Sequence, residues 1–92
     1  MDKLENISKE EKAILKAISY YFVDPFKLDI KMLKYKDNVI HILLGRPGIL
    51  IGNKGRDINK ITDIIRNGFN NPNIRFHIEE STIDMFLKDS YY

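Results

Sequence analysis

The stretch from Gly45 to Ile61, GRPGILIGNKGRDINKI, decides which fold this sequence predicts. It holds four of the five glycines of the chain and one of its three prolines, between two apolar segments. Two of these glycines enclose Asn53 and Lys54, and they allow a tight turn because glycine reaches positive φ at little steric cost. Pro47 suits the first position of a short helix, and Asp57 suits the first turn of a second one. The stretch therefore predicts two helices joined by a small basic turn.

Hydrophobic periodicity predicts the elements on either side of this stretch. Ser8 and Glu11 have the spacing of a capping box, and Asp24-Pro25 ends the helix that follows. The predicted elements are a helix over 9–22, strands over 26–33 and 39–44, helices over 47–51 and 56–68, a strand over 73–79 and a helix over 81–89. The predicted inward positions are Phe26, Leu28, Ile30 and Met32; Ile58, Ile61, Ile64 and Ile65; and Ile74, Phe76 and Ile78. Tyr35 is predicted to lie in the hairpin turn, Lys34 to Asn38.

Length and composition limit the possible classes of protein. The chain has 92 residues, which predicts one domain over 1–92, with a core at about 25–80 and flanking helices at about 9–22 and 81–89. It has no cysteine, so disulfides, thiolate metal sites and a cysteine nucleophile are excluded. The N-terminus is polar, unlike a signal peptide, and no apolar run approaches the ~20 residues of a membrane span. We therefore expect a cytoplasmic protein without membrane partners.

Charge is unevenly distributed, although the formal net charge is only +2. Residues 45–60 carry four basic residues against one acid, whereas residues 79–92 carry four acids against one lysine. Such a difference concerns faces and partners more than fold. A basic binding face and an ordinary solvated surface are both open interpretations at this point.

The turn between the two central helices has the chemistry of an anion site. Glycine removes the Cβ atoms that would keep another backbone away, and the second helix begins with unpaired N–H groups at its positive dipole end. Lys54 adds a mobile cation and Arg56 a planar one. The simpler alternative is a plain link, in which one glycine ends the first helix and the other starts the second.

The sequence Arg-Pro-Gly-Ile-Leu-Ile-Gly-Asn-Lys-Gly, residues 46–55, resembles the KH domain, a single-stranded nucleic-acid-binding module. The resemblance extends from about Pro25 to Glu80 and is closest to the KH domain of the third small-subunit ribosomal protein family, which reads RPGIVIGKKG. The order α-β-β-α-α-β looks like the type II arrangement. The resemblance thus implies an α+β fold, a type II KH domain with a three-stranded sheet covered by helices and an added C-terminal helix.

The same resemblance implies a function and a set of site residues. It implies binding of single-stranded RNA, or of single-stranded DNA, without catalysis, cofactor, metal or small-molecule substrate. The implied partners are ribosomal RNA and ribonucleoprotein components. The implied backbone-clamping residues are Gly52, Asn53, Lys54 and Gly55, assisted by Arg46 and Arg56. A hydrophobic base-binding groove is implied beside them, with Ile49, Ile51 and Ile58 as candidates.

The sequence departs from the ribosomal family in two ways. Asn53 replaces a lysine, and Arg56 stands where an acid is common, so positive charge has moved along the loop without being lost. The second α/β domain of that family is absent from the sequence. We therefore expect a free-standing KH domain or a component of a reduced or divergent ribosome, in the cytoplasm or in an organellar matrix.

Other functions are less well supported by the residues. The phosphate-loop pattern fails, because Gly48 and Gly52 lack its spacing and no Lys-Ser/Thr pair follows. His41 and His77 have no triad or metal-site companions, so structural roles are predicted for both. The alternative from another class is a protein-interaction adaptor with a KH-like fold. An adaptor is expected to lose the glycines or the basic residues of the loop, and this chain keeps both.

Overall fold

A computed structural model of the chain describes residues 7–81. Its elements, in chain order, are α1 (Lys9–Tyr21), a 3-10 turn (Pro25–Leu28), β1 (Ile30–Lys36), β2 (Val39–Leu44), α2 (Pro47–Ile51), a second 3-10 turn (Asn53–Gly55), α3 (Arg56–Phe69) and β3 (Arg75–Glu80). The predicted α-β-β-α-α-β order is therefore confirmed. The helix predicted over 81–89 falls on residues outside the described part of the chain.

The three strands form one mixed sheet in the order β1-β2-β3. β1 and β2 are antiparallel and are joined by Asp37 and Asn38, both at positive φ. Two such residues form the kind of turn that matches the natural twist of a hairpin. β2 and β3 are parallel, because α2 and α3 return the chain to the starting end of the sheet. This crossover leaves β3 at one edge of the sheet, beside α3.

The strand predicted over 26–33 is only partly correct. Pro25 fixes its own φ at a helical value, and a 3-10 turn forms there, so that Phe26 is 91% exposed instead of facing the core. β1 begins at Ile30 and continues to Lys36, and a bulge between Ile30 and Met32 shifts the register by one residue. The extra residue changes which side chains point inward, so Leu33 is buried and Met32 is not.

The core lies between the helices and one face of the sheet. It comprises Ile14, Ile18, Leu28, Leu33, Ile40, Ile42, Leu44, Leu50, Ile61, Ile65 and Ile74. Two predictions for α3 are wrong. Ile64 is 48% exposed, because Ile61 and Ile65 already fill the narrow buried stripe of the helix. The helix also continues past Gly68 to Phe69 and ends at Asn70, which takes the left-handed conformation.

The opposite edge of the sheet is covered by Glu11 of α1. Its carboxylate accepts hydrogen bonds from the Ser8 N–H at 2.7 Å, completing the predicted capping box, and from the Tyr35 N–H at 2.7 Å. Burial raises the pKa of this carboxyl, but the bonds from Ser8 and Tyr35 and the charge of Lys34 outweigh burial and lower it. Tyr35 lies within β1, packed edge-on against Phe69. The prediction that it belongs to the hairpin turn is therefore wrong. An edge strand whose backbone is bonded in this way is a poor template for another chain.

Candidate nucleic-acid interface

The loop Gly52–Gly55 connects α2 to α3, and three of its four residues have positive φ. Gly52 has φ 79° and ψ 178°, a combination that essentially only glycine adopts. Lys54 and Gly55 both lie in the left-handed region, and α3 begins at Arg56 directly afterwards. The residue that caps α3 is Gly55, which has no side chain to bond the first N–H groups of the helix. These donors therefore face the loop without a side-chain cap.

Gly52 is also required by its neighbour Asp57. A Cβ atom at position 52 would lie 2.5 Å from Asp57 Oδ2 and 2.8 Å from Asp57 Cβ, closer than real contacts allow. The other carboxylate oxygen of Asp57 accepts a 2.8 Å hydrogen bond from the Tyr21 hydroxyl on α1. This bond, with burial as a lesser cause, raises the pKa of the Tyr21 phenol. The loop is thus supported from behind by a helix that is distant in sequence.

The structure brings most of the predicted site residues together. Asn53, Lys54 and Arg56 are exposed around the loop, and the two glycines form its ends. Arg46 is exposed but lies at the opposite end of α2, where its N–H bonds the Leu28 carbonyl. The five residues of α2 separate it from the loop by roughly 7–8 Å along the helix axis. Arg46 is therefore placed to contact a ligand that extends along α2 from the loop.

A groove of about 400 Å³ runs between α3 and β3. Its apolar floor consists of Ile58, Phe76 and Ile78, which are half-buried. Its polar rim consists of Asn59, Thr62, Asp63, Arg66 and Arg75. Because β3 is an edge strand, one side of its backbone faces away from β2 toward this groove. The groove therefore combines a flat apolar surface with hydrogen-bonding groups.

Of the three residues predicted for a base-binding groove, the structure places one beside this groove. Ile58 lines the groove, whereas Ile49 packs against the core and Ile51, 36% exposed, lies outside it. Phe76 and Ile78 were predicted only as core residues. The alternation of a strand shows which side chains share a face, but it does not show which helix lies beside that face. The parallel return of β3 beside α3 is what exposes them to the groove.

Arg66 links α3 to the start of β3, the two elements that enclose the groove. Its Nε donates a 2.7 Å hydrogen bond to the Ile74 carbonyl, just before β3 begins. Its guanidinium also lies 3.9 Å from Asp63, one turn earlier on the same helix. The arginine was not predicted from sequence, where it reads as an ordinary polar residue of an amphipathic helix.

The loop and the groove are continuous with each other. The Ile58 side chain comes within 4.0 Å of the position that a Cβ on Gly55 would occupy. A ligand that lies against the loop can therefore extend onto the apolar floor of the groove without leaving the protein surface. Within residues 7–81, no group of His, Asp or Glu side chains has the arrangement of a metal site, and no helix has the length and apolarity that crossing a membrane requires.

Comparison with known families agrees with this geometry. The family model described as the KH domain matches residues 11–84, which is most of the chain and includes both the loop and the groove. No curated protein shows significant similarity to the chain. The KH domain is a module that binds nucleic acid. On its fold, its glycine loop and this match, the chain belongs to the KH domain family.

Proposed function

We propose that this domain binds single-stranded RNA without catalysis, as a type II KH domain related to that of the third small-subunit ribosomal protein. The element order and the parallel pairing of β2 with β3 support the type II assignment. The observation that carries the functional proposal is the continuity of the glycine loop with the groove at Gly55 and Ile58. A phosphate site alone would accept many anions, whereas a phosphate site leading into an apolar groove suits a nucleotide strand.

The proposed mechanism assigns different parts of the nucleotide to the two surfaces. Phosphates lie against the bare backbone at Gly52–Gly55, where the start of α3 offers N–H donors and Lys54 and Arg56 offer positive charge. Bases lie on Phe76 and Ile78, and their edges meet the free backbone of β3. Single strands suit this site because their bases are unstacked and can be turned out from the backbone.

Reversal of charge in the loop tests the phosphate contact. Asn53→Asp combined with Lys54→Asp should abolish RNA binding and leave the fold intact, because both side chains are exposed and two carboxylates repel phosphates. A matched control is Lys9→Asp with Lys12→Gln on α1, which changes the total charge equally and places the acid at a helix start. Fluorescence anisotropy with labelled RNA measures affinity, and circular dichroism checks the fold. RNA affinity that is equal in both variants would contradict the proposal.

Salt dependence gives an independent test. If about three phosphates are neutralised, log K should fall with log[salt] at a slope of roughly −2 on a single strand. That slope corresponds to about a 20-fold loss of affinity between 50 and 200 mM salt. A slope near zero is incompatible with a phosphate clamp. The same titration with a DNA strand of equal sequence tests the choice of RNA, and co-sedimentation with small ribosomal subunits tests the ribosomal relationship.

A protein-interaction adaptor is the second candidate, favoured by one specific observation. Three large apolar side chains near the end of α1 are exposed: Val23 and Phe26 almost completely, and Tyr20 by 80%. Phe26 and Tyr20 each border an apolar hollow, and exposed apolar surface of this kind often marks a protein contact. If this function were correct, Phe26→Ser would abolish capture of a partner, while the Asn53→Asp/Lys54→Asp variant would keep it.

A further inference from the structure

The face of the sheet that points away from the helices has an ordered arrangement of side chains. The pairing of residues between neighbouring strands aligns these side chains in three rows, and each row crosses β1, β2 and β3. The rows are Lys36, Val39 and Arg75; Lys34, His41 and His77; and Met32, Leu43 and Glu79. Within the described part of the chain, none of the helices covers these rows, and we call them the open face.

Positive charge is concentrated toward one end of the open face. The first two rows carry Lys36, Lys34 and Arg75, all exposed, and the third row carries the acid Glu79. Glu79 is engaged with His77, whose Nε2 lies 3.0 Å from its carboxylate. Two other acids lie near the basic end: Asp37, beyond the first row in the hairpin turn, and Glu11, at the edge of β1, where burial raises its pKa but its hydrogen bonds and the charge of Lys34 outweigh burial and lower it. The basic end of the face is therefore complementary to a polyanion.

Aromatic surface lies within the same region. The His41 and His77 rings are adjacent across β2 and β3, with centroids 5.5 Å apart. With Met32 and Leu43 they line a shallow hollow of about 200 Å³. Histidine rings are among the surfaces on which unpaired bases stack. Cations beside flat rings are the combination by which proteins follow a single strand without reading its sequence.

Arg75 connects this face to the groove. It is the first residue of β3, where it belongs to the first row of the open face and also lines the groove beside α3. A strand that leaves the groove at this point can cross the edge of the sheet without losing contact with positive charge. The three strands span roughly 10 Å, a distance that a few additional nucleotides cover.

We propose that the open face is a second binding surface for the same nucleic-acid strand, contacted by nucleotides that leave the groove past Arg75. Lys34 and Lys36 hold phosphates there, and the His41 and His77 rings support bases. The proposal rests on the proposed function, since it concerns a strand that already occupies the groove. It predicts that the domain contacts more nucleotides than the four that a glycine loop clamps.

Oligonucleotide length separates the two surfaces. The probes are fluorescein-labelled RNAs of randomised sequence, four and eight nucleotides long, titrated at several salt concentrations. Neutralising two additional phosphates should make the salt slope of the longer RNA steeper by about 1.4. Between 50 and 200 mM salt this is an additional loss of roughly sevenfold for the longer RNA. The slope is the readout because a longer strand gains affinity merely by offering more positions, and that gain does not depend on salt.

Two variants test which side chains cause the difference. Lys34→Gln with Lys36→Gln should give both RNAs the same slope, with tetranucleotide affinity unchanged. Lys9→Gln with Lys12→Gln, on α1, removes the same charge and should keep the wild-type difference. Equal slopes in the wild type, or a difference that survives in the Lys34/Lys36 variant, would overturn this inference while leaving the groove function standing. Failure of the wild type to bind either RNA would overturn both.

Discussion

Replacement of Gly52 by alanine should destabilise the domain far more than a surface Gly→Ala change normally does. The φ of 79° and ψ of 178° cost a residue with a Cβ about 1–3 kcal/mol. The added methyl group would also meet Asp57 Oδ2 at 2.5 Å, so the carboxylate must move and its bond to Tyr21 is strained or lost. Because the contact adds to the backbone cost, we expect urea denaturation, followed by circular dichroism, to show a loss of at least about 2 kcal/mol. For a domain of this size that corresponds to a fall in melting temperature of at least about 8 °C.

Two other glycines provide internal controls. Gly55→Ala places a Cβ at ordinary contact distance, 3.8 Å from Asn59, so it should cost only the left-handed backbone, about 1–2 kcal/mol. Gly48→Ala meets no atom within 4 Å and lies in a helix, so it should be neutral or stabilising by up to about 1 kcal/mol. The loss for Gly52→Ala should exceed that for Gly55→Ala.

A double-mutant cycle separates the contact from the backbone strain. In an Asp57→Gly background both the carboxylate and the Cβ that the added methyl group would meet are absent, so Gly52→Ala should cost less there than in the wild type. Residues in direct contact usually couple by about 0.5–3 kcal/mol. The reasoning is refuted if Gly52→Ala costs the same in both backgrounds, or if its cost in the wild type does not exceed that of Gly55→Ala.

Two further predictions concern the core and the pH dependence of stability. Ile61→Ala should lower the free energy of unfolding by about 2–5 kcal/mol because Ile61 is fully buried, whereas Ile64→Ala should cost well under half as much; similar losses in urea denaturation would contradict the burial of α3. The pKa of Glu11 is lowered in the folded state, so its contribution is present above its ordinary pKa of 4.5 and is lost as pH falls through the lower folded value. Thermal melts from pH 6 to pH 3 should therefore show a smaller acid destabilisation in Glu11→Gln than in the wild type, and parallel curves would exclude this role.

Local patterns were sufficient to predict the element order. The capping box at Ser8 and Glu11, the apolar periodicity of α1 and α3 and the glycines of the loop each act over a few residues. Such features are visible in sequence because their causes are local. The wrong start of the first strand also has a local cause, but the alternation of apolar and polar residues hides it. The segment from Phe26 alternates like a strand, yet Pro25 and the left-handed Asp29 make its first part a 3-10 turn.

The site was less predictable than the fold because its parts come from distant segments. The residues of the loop could be named from the sequence. The floor of the groove depends on β3 returning beside α3, and the support of the loop depends on Tyr21 reaching Asp57, 36 positions away. Neither contact has a sequence signature, since tyrosine near the end of an amphipathic helix is ordinary. The three rows of the open face likewise require the strand register, which the bulge in β1 shifts.

The closeness of Asp57 to Gly52 means that folding and nucleic-acid binding constrain different residues of the loop. A descendant of this domain that no longer bound nucleic acid would still need glycine at position 52, because the fold itself rejects any larger residue there. Asn53 and Lys54 are exposed and do not face such a neighbour, so in that descendant they could change, limited at position 54 by the left-handed backbone alone. The first glycine of the motif therefore indicates that the fold is conserved and does not by itself indicate binding. Among relatives of this protein, the basic residues that follow it are the ones whose gain or loss would track binding.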